Sequence, residues 1–243
     1  MPKRQKIRRG IILVTFLLLP AIFYYFSPYL IIMGASEGVI SGSFIMFGIL
    51  FLSAFFLGRG FCAWVCPVAG IQEASFLARD RKVNNKYNWI RYLIWVPWIT
   101  IIIYMAGTTG GFKKVDFFYQ TVFGFSMPNV YALFIYLIVV ITTIILSFSV
   151  GKRALCHYGC WMSPFMIGGR KLRNIFKWPS LRLRVERDKC IDCKTCTKNC
   201  PMSLDVNGMV KNNKIENPEC ILCGTCIDLC KKEVIRYSFS KGL

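Results

Sequence analysis

Two closely spaced cysteine runs near the C-terminus constrain this chain more than any other feature. Residues 190–201 read C-I-D-C-K-T-C-T-K-N-C-P and residues 220–230 read C-I-L-C-G-T-C-I-D-L-C, so both have the spacing C-x2-C-x2-C-x3-C. Three thiolates on one tight loop suit three corners of a cubane cluster, while the fourth reaches a neighbouring cluster. The spacing therefore predicts two [4Fe–4S] clusters in the tail of the chain.

The same spacing predicts that each cluster takes its fourth ligand from the other run. The expected ligands of cluster 1 are Cys190, Cys193, Cys196 and Cys230, and those of cluster 2 are Cys220, Cys223, Cys226 and Cys200. Zinc and disulfides are the alternatives. Zinc sites usually use two separated pairs of ligands, and disulfides are disfavoured in a reducing cytoplasm, where the charge pattern below places the tail.

Long uncharged segments occupy much of the first 150 residues. Hydrophobic residues make up 55% of the chain and charged residues 18%, a composition that argues against both a soluble globule and a disordered chain. A membrane-spanning helix needs about 20 apolar residues. The uncharged segments predict four spans, at residues 11–34, 38–58, 92–112 and 130–150. We expect the first to be a retained helix, because it is longer than the apolar region of a signal peptide.

The basic residues indicate the orientation of these spans. Five Lys and Arg residues lie within residues 1–10, six within 58–91 and eight within 151–184, whereas the opposite side has two, Lys113 and Lys114. Basic residues concentrate on the cytoplasmic side of membrane proteins. The sequence therefore predicts a multi-pass protein of the cytoplasmic (inner) membrane, with both termini and all clusters on the cytoplasmic side. The net charge of +19 is then attracted to lipid headgroups rather than to nucleic acid.

Four further cysteines follow the second and fourth predicted spans. Residues 58–67 read G-R-G-F-C-A-W-V-C-P and residues 151–161 read G-K-R-A-L-C-H-Y-G-C-W. We interpret this repeated order as a duplicated two-helix hairpin. Because each C-x3-C loop offers only two thiolates, we expect the two loops to share a third [4Fe–4S] cluster at the membrane surface, held by Cys62, Cys66, Cys156 and Cys160. Disulfides, zinc and inert buried thiols are the alternatives.

Taken together, these motifs resemble the NapH-type membrane ferredoxins, which are proposed quinol dehydrogenase subunits of periplasmic nitrate reductase systems. The resemblance covers nearly all 243 residues, although Trp161 stands where the family has proline after the second C-x3-C. It implies a membrane all-α four-helix bundle of two repeated helical hairpins, followed by an α+β domain similar to bacterial-type ferredoxins. Within that domain, the pair Asn207-Gly208 favours a hairpin turn.

Three regions follow from these assignments. Residues 1–169 form the predicted four-span membrane domain with its two C-x3-C motifs, residues 170–184 a basic interfacial linker, and residues 185–243 the two-cluster ferredoxin domain. The alternating pattern that begins at Leu181 indicates a strand entering the tail.

The expected function is electron transfer between membrane quinone and partner redox proteins through three [4Fe–4S] clusters, as a quinol dehydrogenase-like subunit of an oxidoreductase complex. The lone histidine, His157, has an ordinary pKa suited to proton exchange near neutral pH, and Glu73 follows the first C-x3-C motif. Both are candidate proton or quinone residues; the alternatives are a hydrogen-bonded loop histidine and an ion-pair partner. Two other functions stay open: a relay between proteins with no quinone site, and an assembly or regulatory factor for a respiratory metalloenzyme.

Overall fold

The structure, a computed structural model, describes residues 1–77, 80–126 and 130–241. Residues 1–175 are mainly helical and are called the helical part. Its α-helices are α1 (Lys3–Leu17), α2 (Leu19–Ile22), α3 (Pro28–Ser36), α4 (Gly42–Leu57), α5 (Gly60–Trp64), α6 (Pro67–Ala74), α7 (Ile90–Thr108), α8 (Val130–Ser149), α9 (Ala154–Tyr158) and α10 (Ser163–Ile175). Short 3-10 helices cover Phe23–Phe26, Ser75–Leu77 and Asn85–Tyr87. Two short strands, β1 (Val39–Ser41) and β2 (Lys114–Asp116), pair in parallel.

Among the described residues, two helices are long and apolar enough to cross a membrane, namely Asn85–Thr108 and Val130–Ser149. They correspond to the predicted spans at 92–112 and 130–150, and α7 continues through Pro97. A third span is present if the bent pair Lys3–Leu17 and Leu19–Phe26 counts as one. Within the predicted span 38–58 the helix α4 has 16 residues, which is shorter than the roughly 20 that a span ordinarily needs.

The prediction of one continuous helix over residues 11–34 is wrong. The first helix begins at Lys3, ends at Leu17, and is followed after a 61° bend by Leu19–Phe26. Pro20 explains the break, because proline has no N–H to donate and its ring clashes with the preceding turn of a helix. The polar start of α1 packs against the tail, where Gln5 Nε2 donates to the Cys223 carbonyl at 3.0 Å.

The tail, residues 180–241, contains a two-stranded antiparallel sheet and three short helices. Strand β3 (Ser180–Val185) pairs with β4 (Ile235–Ser240), which confirms the strand expected from Leu181. The helices are α11 (Thr195–Lys198), α12 (Val206–Lys211) and α13 (Thr225–Asp228), with a 3-10 turn at Arg187–Lys189. Residues 170–184, expected as a linker, contain the end of α10 and most of β3.

The hairpin expected at Asn207-Gly208 is wrong, because these residues lie in helix α12. Asp205 caps this helix, with its Oδ1 accepting from the Gly208 N–H at 3.0 Å. The Asn207 amide donates to Asp192 Oδ1 at 2.5 Å. A side-chain cap and a tertiary hydrogen bond therefore outweigh the local turn preference of the dipeptide.

The two C-x3-C loops fold alike. In each, a five-residue helix (α5 or α9) precedes the second cysteine of the motif, and a further helix (α6 or α10) with proline in its first turn follows. Helix α6 packs closely on α1: a Cβ at Gly70 would lie 2.7 Å from the Ile12 carbonyl oxygen. Helix α10 packs as closely on α4, where a Cβ at Gly169 would lie 2.6 Å from the Phe51 carbonyl oxygen.

Candidate iron–sulfur centres

The first tail site, called the outer tail site, is a cavity of about 280 Å³ whose lining includes four cysteines, Cys190, Cys193, Cys196 and Cys230. These are the four residues expected for cluster 1: three come from one run, and the fourth follows α13 of the other. Cys193 is exposed, and a hydrogen bond from Thr195 lowers the pKa of its thiol. The site therefore opens at the surface of the tail.

The second tail site, called the inner tail site, is lined by Cys200, Cys220, Cys223 and Cys226. These are the residues expected for cluster 2. The cavity measures about 20 Å³, close to the space of one water molecule. Burial raises the pKa of Cys200 to about 12.

The backbone of the two cysteine loops has a matching conformation. Asp192 and Lys194 have φ of 55° and 56°, and Leu222 and Gly224, at the same places in the second run, have φ of 55° and 76°. Alternation of left-handed with right-handed residues turns successive N–H groups inward and creates an anion-binding concavity. Each tail site thus combines four thiols with a backbone that favours a negatively charged group, as a thiolate-ligated [4Fe–4S] cluster requires.

The four cysteines of the helical part come together in a third site, called the helical cysteine site. Cys62, Cys66 and Cys156 are buried, and Cys160 is partly buried. Burial raises the pKa of the Cys66 thiol, and the charges of Cys62, Cys156 and Cys160 raise it further. Two loops about 90 residues apart in sequence therefore share one site, in which neutral thiols are favoured until positive charge is bound.

Neighbouring side chains complete the helical cysteine site. Gln72 is fully buried, and its Nε2 donates to Cys156 Sγ at 3.3 Å. Within the described parts of the chain, no three His, Cys, Asp or Glu side chains are arranged to hold a single metal ion.

Two buried carboxylates form ion pairs with arginines of the helical part. Glu73 connects segments within the helical part, and Glu219 connects the tail to it. Glu73 Oε1 accepts a hydrogen bond from Arg8 Nη1 at 2.7 Å, and the same carboxylate forms an ion pair with Arg153. Although burial acts to raise it, these arginines lower the pKa of Glu73 to about 2. Glu73 is therefore an ionised ion-pair partner at neutral pH.

The second carboxylate, Glu219 of the tail, forms ion pairs with two arginines. Its oxygens lie 2.7 Å from Arg59 Nη1 and 2.6 Å from Arg91 Nη2. Arg59 and Arg153 each stand three residues before the first cysteine of their C-x3-C motif. Counted together, the two networks hold four buried guanidinium groups against two carboxylates. Such an excess of buried positive charge is costly unless an anion lies close by.

The two repeat-related arginines supply donors near the cysteines. Arg59 interacts electrostatically with Cys62 and Cys156, and Arg153 with Cys156 and Cys223. Nε and Nη2 of Arg59 and Nε of Arg153 are buried without a hydrogen-bond partner among the described residues. Buried donors normally have acceptors, so these N–H groups fit the sulfur atoms of an anionic cluster.

The inner tail site lies beside the helical cysteine site. Trp64, between Cys62 and Cys66 in sequence, donates from Nε1 to the Leu222 carbonyl at 3.4 Å. Arg153 donates to the Cys62 carbonyl at 2.7 Å and also interacts with Cys223. Cys226 of the inner tail site also interacts electrostatically with Cys196 of the outer tail site. The inner tail site therefore adjoins both of the other sites.

His157 is fully buried, and its Nδ1 lies 2.9 Å from Asn88 Oδ1. Burial lowers the pKa of His157 to about 3, so the ring is neutral at physiological pH. Its Nε2 is buried with no hydrogen-bond partner in the described chain. This environment is that of a structural histidine facing Asn88 rather than of a group that exchanges protons with solvent.

An apolar groove of about 580 Å³ lies among α3, α4, α7 and α10. Its lining includes Phe47, Gly48, Trp98, Ile102 and Phe165. Phe165 stands five residues after Cys160, and its ring meets those of Phe47, Trp98 and Trp95. Trp95 Nε1 is buried and has no acceptor among the described residues. Sequence reasoning missed this groove, because it is formed by helices that are distant in sequence.

Comparison with known families supports an iron–sulfur chemistry for both halves of the chain. Residues 40–86 match a family described as a 4Fe-4S binding domain, and residues 153–243 match one described as a 4Fe-4S dicluster domain. The first range contains Cys62 and Cys66, and the second contains Cys156, Cys160 and all the tail cysteines.

Curated relatives are distant but cover most of the chain. An uncharacterised protein of Methanocaldococcus jannaschii is 26% identical over 76% of this chain and 74% of its own length. The putative electron transport protein YccM of Escherichia coli is 23% identical over 77% of this chain and 54% of its own. The methylamine utilization ferredoxin-type protein MauN of Paracoccus denitrificans is 26% identical over 72% of this chain and 60% of its own.

No solved structure gives a significant match. The two domain matches show that the chain contains ferredoxin-type 4Fe-4S domains, and two of its relatives are named as a putative electron transport protein and a ferredoxin-type protein. The apolar helices of the chain are consistent with a membrane protein.

Proposed function

We propose that this protein is a multi-pass subunit of the cytoplasmic membrane that relays electrons between membrane quinone and a partner redox protein. The observation that carries the proposal is the succession of three four-cysteine sites, in which the inner tail site adjoins both of the others. A cubane cluster with four thiolate ligands exchanges one electron and has no open position for substrate. In this proposal Cys62, Cys66, Cys156 and Cys160 hold the membrane cluster, and the eight tail cysteines hold the other two.

The charged residues support this role. Arg59 and Arg153 bring unpartnered N–H groups to the helical cysteine site, and Glu73 and Glu219 fix their positions. Positive charge and hydrogen bonds stabilise the more negative, reduced form of a cluster and raise its potential. Both arginines lie on the side of the site that faces the tail, where they favour electrons passing between the helical part and the tail.

Four features support a membrane position with cytoplasmic termini: two or three candidate spans, the 16-residue apolar helix α4, the packing of α1 on the tail, and the excess of basic residues on one side. The duplicated C-x3-C loops and the packing of α6 and α10 on α1 and α4 support a bundle built from two repeated hairpins. The tail then lies at the cytoplasmic surface, where thiols stay reduced.

The apolar groove supports a quinone site. It is bounded by α7, a candidate span, and it approaches the helical cysteine site at Phe165, which follows Cys160 in sequence. Ligand sites of this kind have a mostly apolar lining with few polar groups, and the lining of this groove is mostly apolar. Trp95 lies behind this lining, where its ring meets Phe165. A quinone ring in this groove would lie within the apolar helices, where lipid-soluble carriers diffuse.

Gly48 offers a specific test. A Cβ at this position would have no atom within 4 Å, so Gly48→Leu fills the groove without displacing its walls. Gly107→Leu is the matched control, because Gly107 also lies in a helix with open space around its Cβ but is not part of the groove lining.

The assay is anaerobic reduction of the purified protein in lipid nanodiscs by a short-chain quinol, followed by the loss of visible cluster absorbance. We expect the wild type and Gly107→Leu to be reduced and Gly48→Leu to respond at least tenfold more slowly, while all three respond equally to dithionite. Equal quinol rates for both variants would overturn the assignment of the groove. No quinol response in the wild type would favour a relay between proteins.

A further inference from the structure

The outer tail site has a basic mouth. Its cavity is lined by three exposed lysines, Lys194, Lys231 and Lys232, and by no carboxylate among the described residues. Exposed Cys193 lies in the same lining, and the Ile191 side chain beside it is 63% exposed. We propose that this mouth, formed by Ile191, Cys193, Lys194, Lys231 and Lys232, is the docking surface for a soluble, acidic one-electron carrier protein.

The charges of the tail are sorted between two faces. Three carboxylates that approach the helical part are paired with arginines: Glu216 with Arg170 and Arg182, Glu219 with Arg59 and Arg91, and Asp228 with Arg4. These ion pairs neutralise the acidic residues on the face of the tail that contacts the helical part. The tail has ten basic and eight acidic residues in 185–243, so its near-neutral total conceals a basic outer face.

Asp192 and Glu233, two carboxylates close to the mouth in sequence, pair with basic residues outside its lining. Asp192 pairs with Lys211 at 2.9 Å, and Glu233 pairs with Arg236 at 3.0 Å. Lys194, Lys231 and Lys232 form no ion pair with any described residue. A partner with surface carboxylates therefore meets an excess of positive charge in the lining of the tail site that opens at the surface. Complementary charge of this kind steers encounter and sets orientation.

The form of the mouth suits brief contact with a protein. An exposed apolar residue, Ile191, stands beside the most accessible cysteine, and the charged lysines surround both. Weak redox complexes typically have small interfaces, with complementary charge at the rim acting mainly on the association rate. One electron passes between the docked carrier and the tail, so one partner is oxidised, the other is reduced, and no bond is made or broken.

Anionic lipid is the other source of negative charge, and the fold disfavours it. No hydrogen bond or ion pair of the described residues connects the loop 190–196 to the helical part, whereas Glu219, Cys223 and Asp228 do contact it. The polar contacts of the tail with the helical part therefore lie outside this loop. The inference rests on the proposed function only in taking the outer tail site as the point where electrons enter or leave the tail.

Binding of an acidic flavodoxin to the full chain in neutral-lipid nanodiscs tests the proposal. The test variants are Lys194→Glu and Lys231→Glu. The matched control is Lys241→Glu, an exposed lysine beyond the far end of β4, about 20 Å along the strand from Ile235 in the cavity lining. We expect the test variants together to weaken binding about tenfold at low ionic strength, with a smaller salt dependence, and the control to change it less than twofold.

Two further measurements separate the possible failures. A basic c-type cytochrome should bind the wild type more weakly than the flavodoxin does. Vesicles containing anionic lipid should bind the wild type and Lys194→Glu equally. Equal flavodoxin binding by all variants, or lysine-dependent binding to vesicles, would overturn the docking surface. Iron content measured on the same samples reports on the clusters, so loss of the proposed electron-transfer function is distinguished from loss of docking.

Discussion

Glu73→Gln tests the buried charge network that encloses the helical cysteine site. The substitution keeps the size of the side chain but leaves the Arg8 and Arg153 guanidinium groups without their carboxylate. Arg8 and Arg153 are 1% and 0% exposed, so both charges stay largely removed from water when the carboxylate is lost. The structure therefore predicts a large loss of stability from a change of one atom type.

The size of the effect follows from the pKa of Glu73. The network lowers this pKa from 4.5 to about 2, and each pKa unit corresponds to about 1.4 kcal/mol. The ionised carboxylate is thus favoured in the folded protein by roughly 3.5 kcal/mol. Removing one partner of a buried ion pair typically costs about 3–5 kcal/mol. Both routes give a similar magnitude.

The pH dependence has a definite sign. The folded pKa lies below the unfolded value, so the stabilisation is fully present above about pH 4.5 and is lost as the pH falls towards 2. The difference in free energy of unfolding between wild type and Glu73→Gln should therefore be constant near neutral pH and shrink below pH 4.5. Taking this difference cancels any acid release of iron common to both proteins.

The assay is denaturant-induced unfolding in detergent micelles, followed by tryptophan fluorescence. Glu233→Gln is the matched control, because the Glu233 side chain is 74% exposed and its pair with Arg236 lies at the surface. Surface pairs contribute about 0–1 kcal/mol. A loss below about 1 kcal/mol for Glu73→Gln, or an equal loss for both variants, would refute the reasoning.

Three further substitutions probe the packing and polar groups around the same site. Gly70→Ala places a methyl group against the Ile12 carbonyl oxygen, 2.7 Å away, and should lower the free energy of unfolding by about 1–3 kcal/mol; an unchanged value would show that α1 and α6 separate easily. Gln72→Leu removes the hydrogen-bond donor to Cys156 Sγ. Losing about 1 kcal/mol of hydrogen bonding should lower the reduction potential of a cluster at this site by on the order of 40 mV, measured in a redox titration followed by EPR. A higher potential in the variant would contradict the placement of a cluster beside Gln72. His157→Gln removes a side chain whose pKa is lowered by burial from 6.5 to about 3. As the pH falls, the histidine takes up its proton in the unfolded chain first, so the wild type should lose about 1.5 kcal/mol more free energy of unfolding than the variant between pH 6.5 and 5. The same pH dependence of the free energy of unfolding in both proteins would contradict a neutral buried histidine.

The sequence was most informative where chemistry requires a fixed local spacing. The cysteine runs predicted which residues converge in the tail, and the structure brings Cys190, Cys193 and Cys196 together with Cys230. The repeat of C-x3-C motifs likewise led to the expectation that two distant loops meet. Both inferences rest on what four thiolates need around one cluster, which does not depend on details of packing.

Features decided by tertiary contacts were not predictable. Glu219 pairs with Arg59 and Arg91, which lie 160 and 128 residues away, and nothing local marks these partners. The Asn207-Gly208 pair has a strong turn preference, yet the Asp205 cap and the contact with Asp192 favour a helix. Pro20 marks the break after α1 in the sequence. The prediction of a continuous span used only the lack of charged residues around this proline, and hydropathy carries no information about where a helix bends.

The matching sequence positions of Arg59 and Arg153 are a signal from which buried charges near the cysteines could have been predicted. Both stand three residues before the first cysteine of a repeated motif, and repeat-related charges in apolar surroundings indicate a shared role. Their partners, however, differ: one binds a carboxylate of the tail and the other a carboxylate of α6. The duplication of the motif therefore places the two arginines at matching sequence positions but does not determine their contacts.

Iron content per chain tests the shared cluster of the helical cysteine site most directly. The wild type should contain about twelve iron atoms, as three cubane clusters require. Cys62→Ser/Cys66→Ser and Cys156→Ser/Cys160→Ser should each lose about four, and changing all four cysteines should lose no more than either pair alone. A wild-type content of about eight, or separate losses that add when both loops are changed, would contradict a cluster held jointly by the two loops.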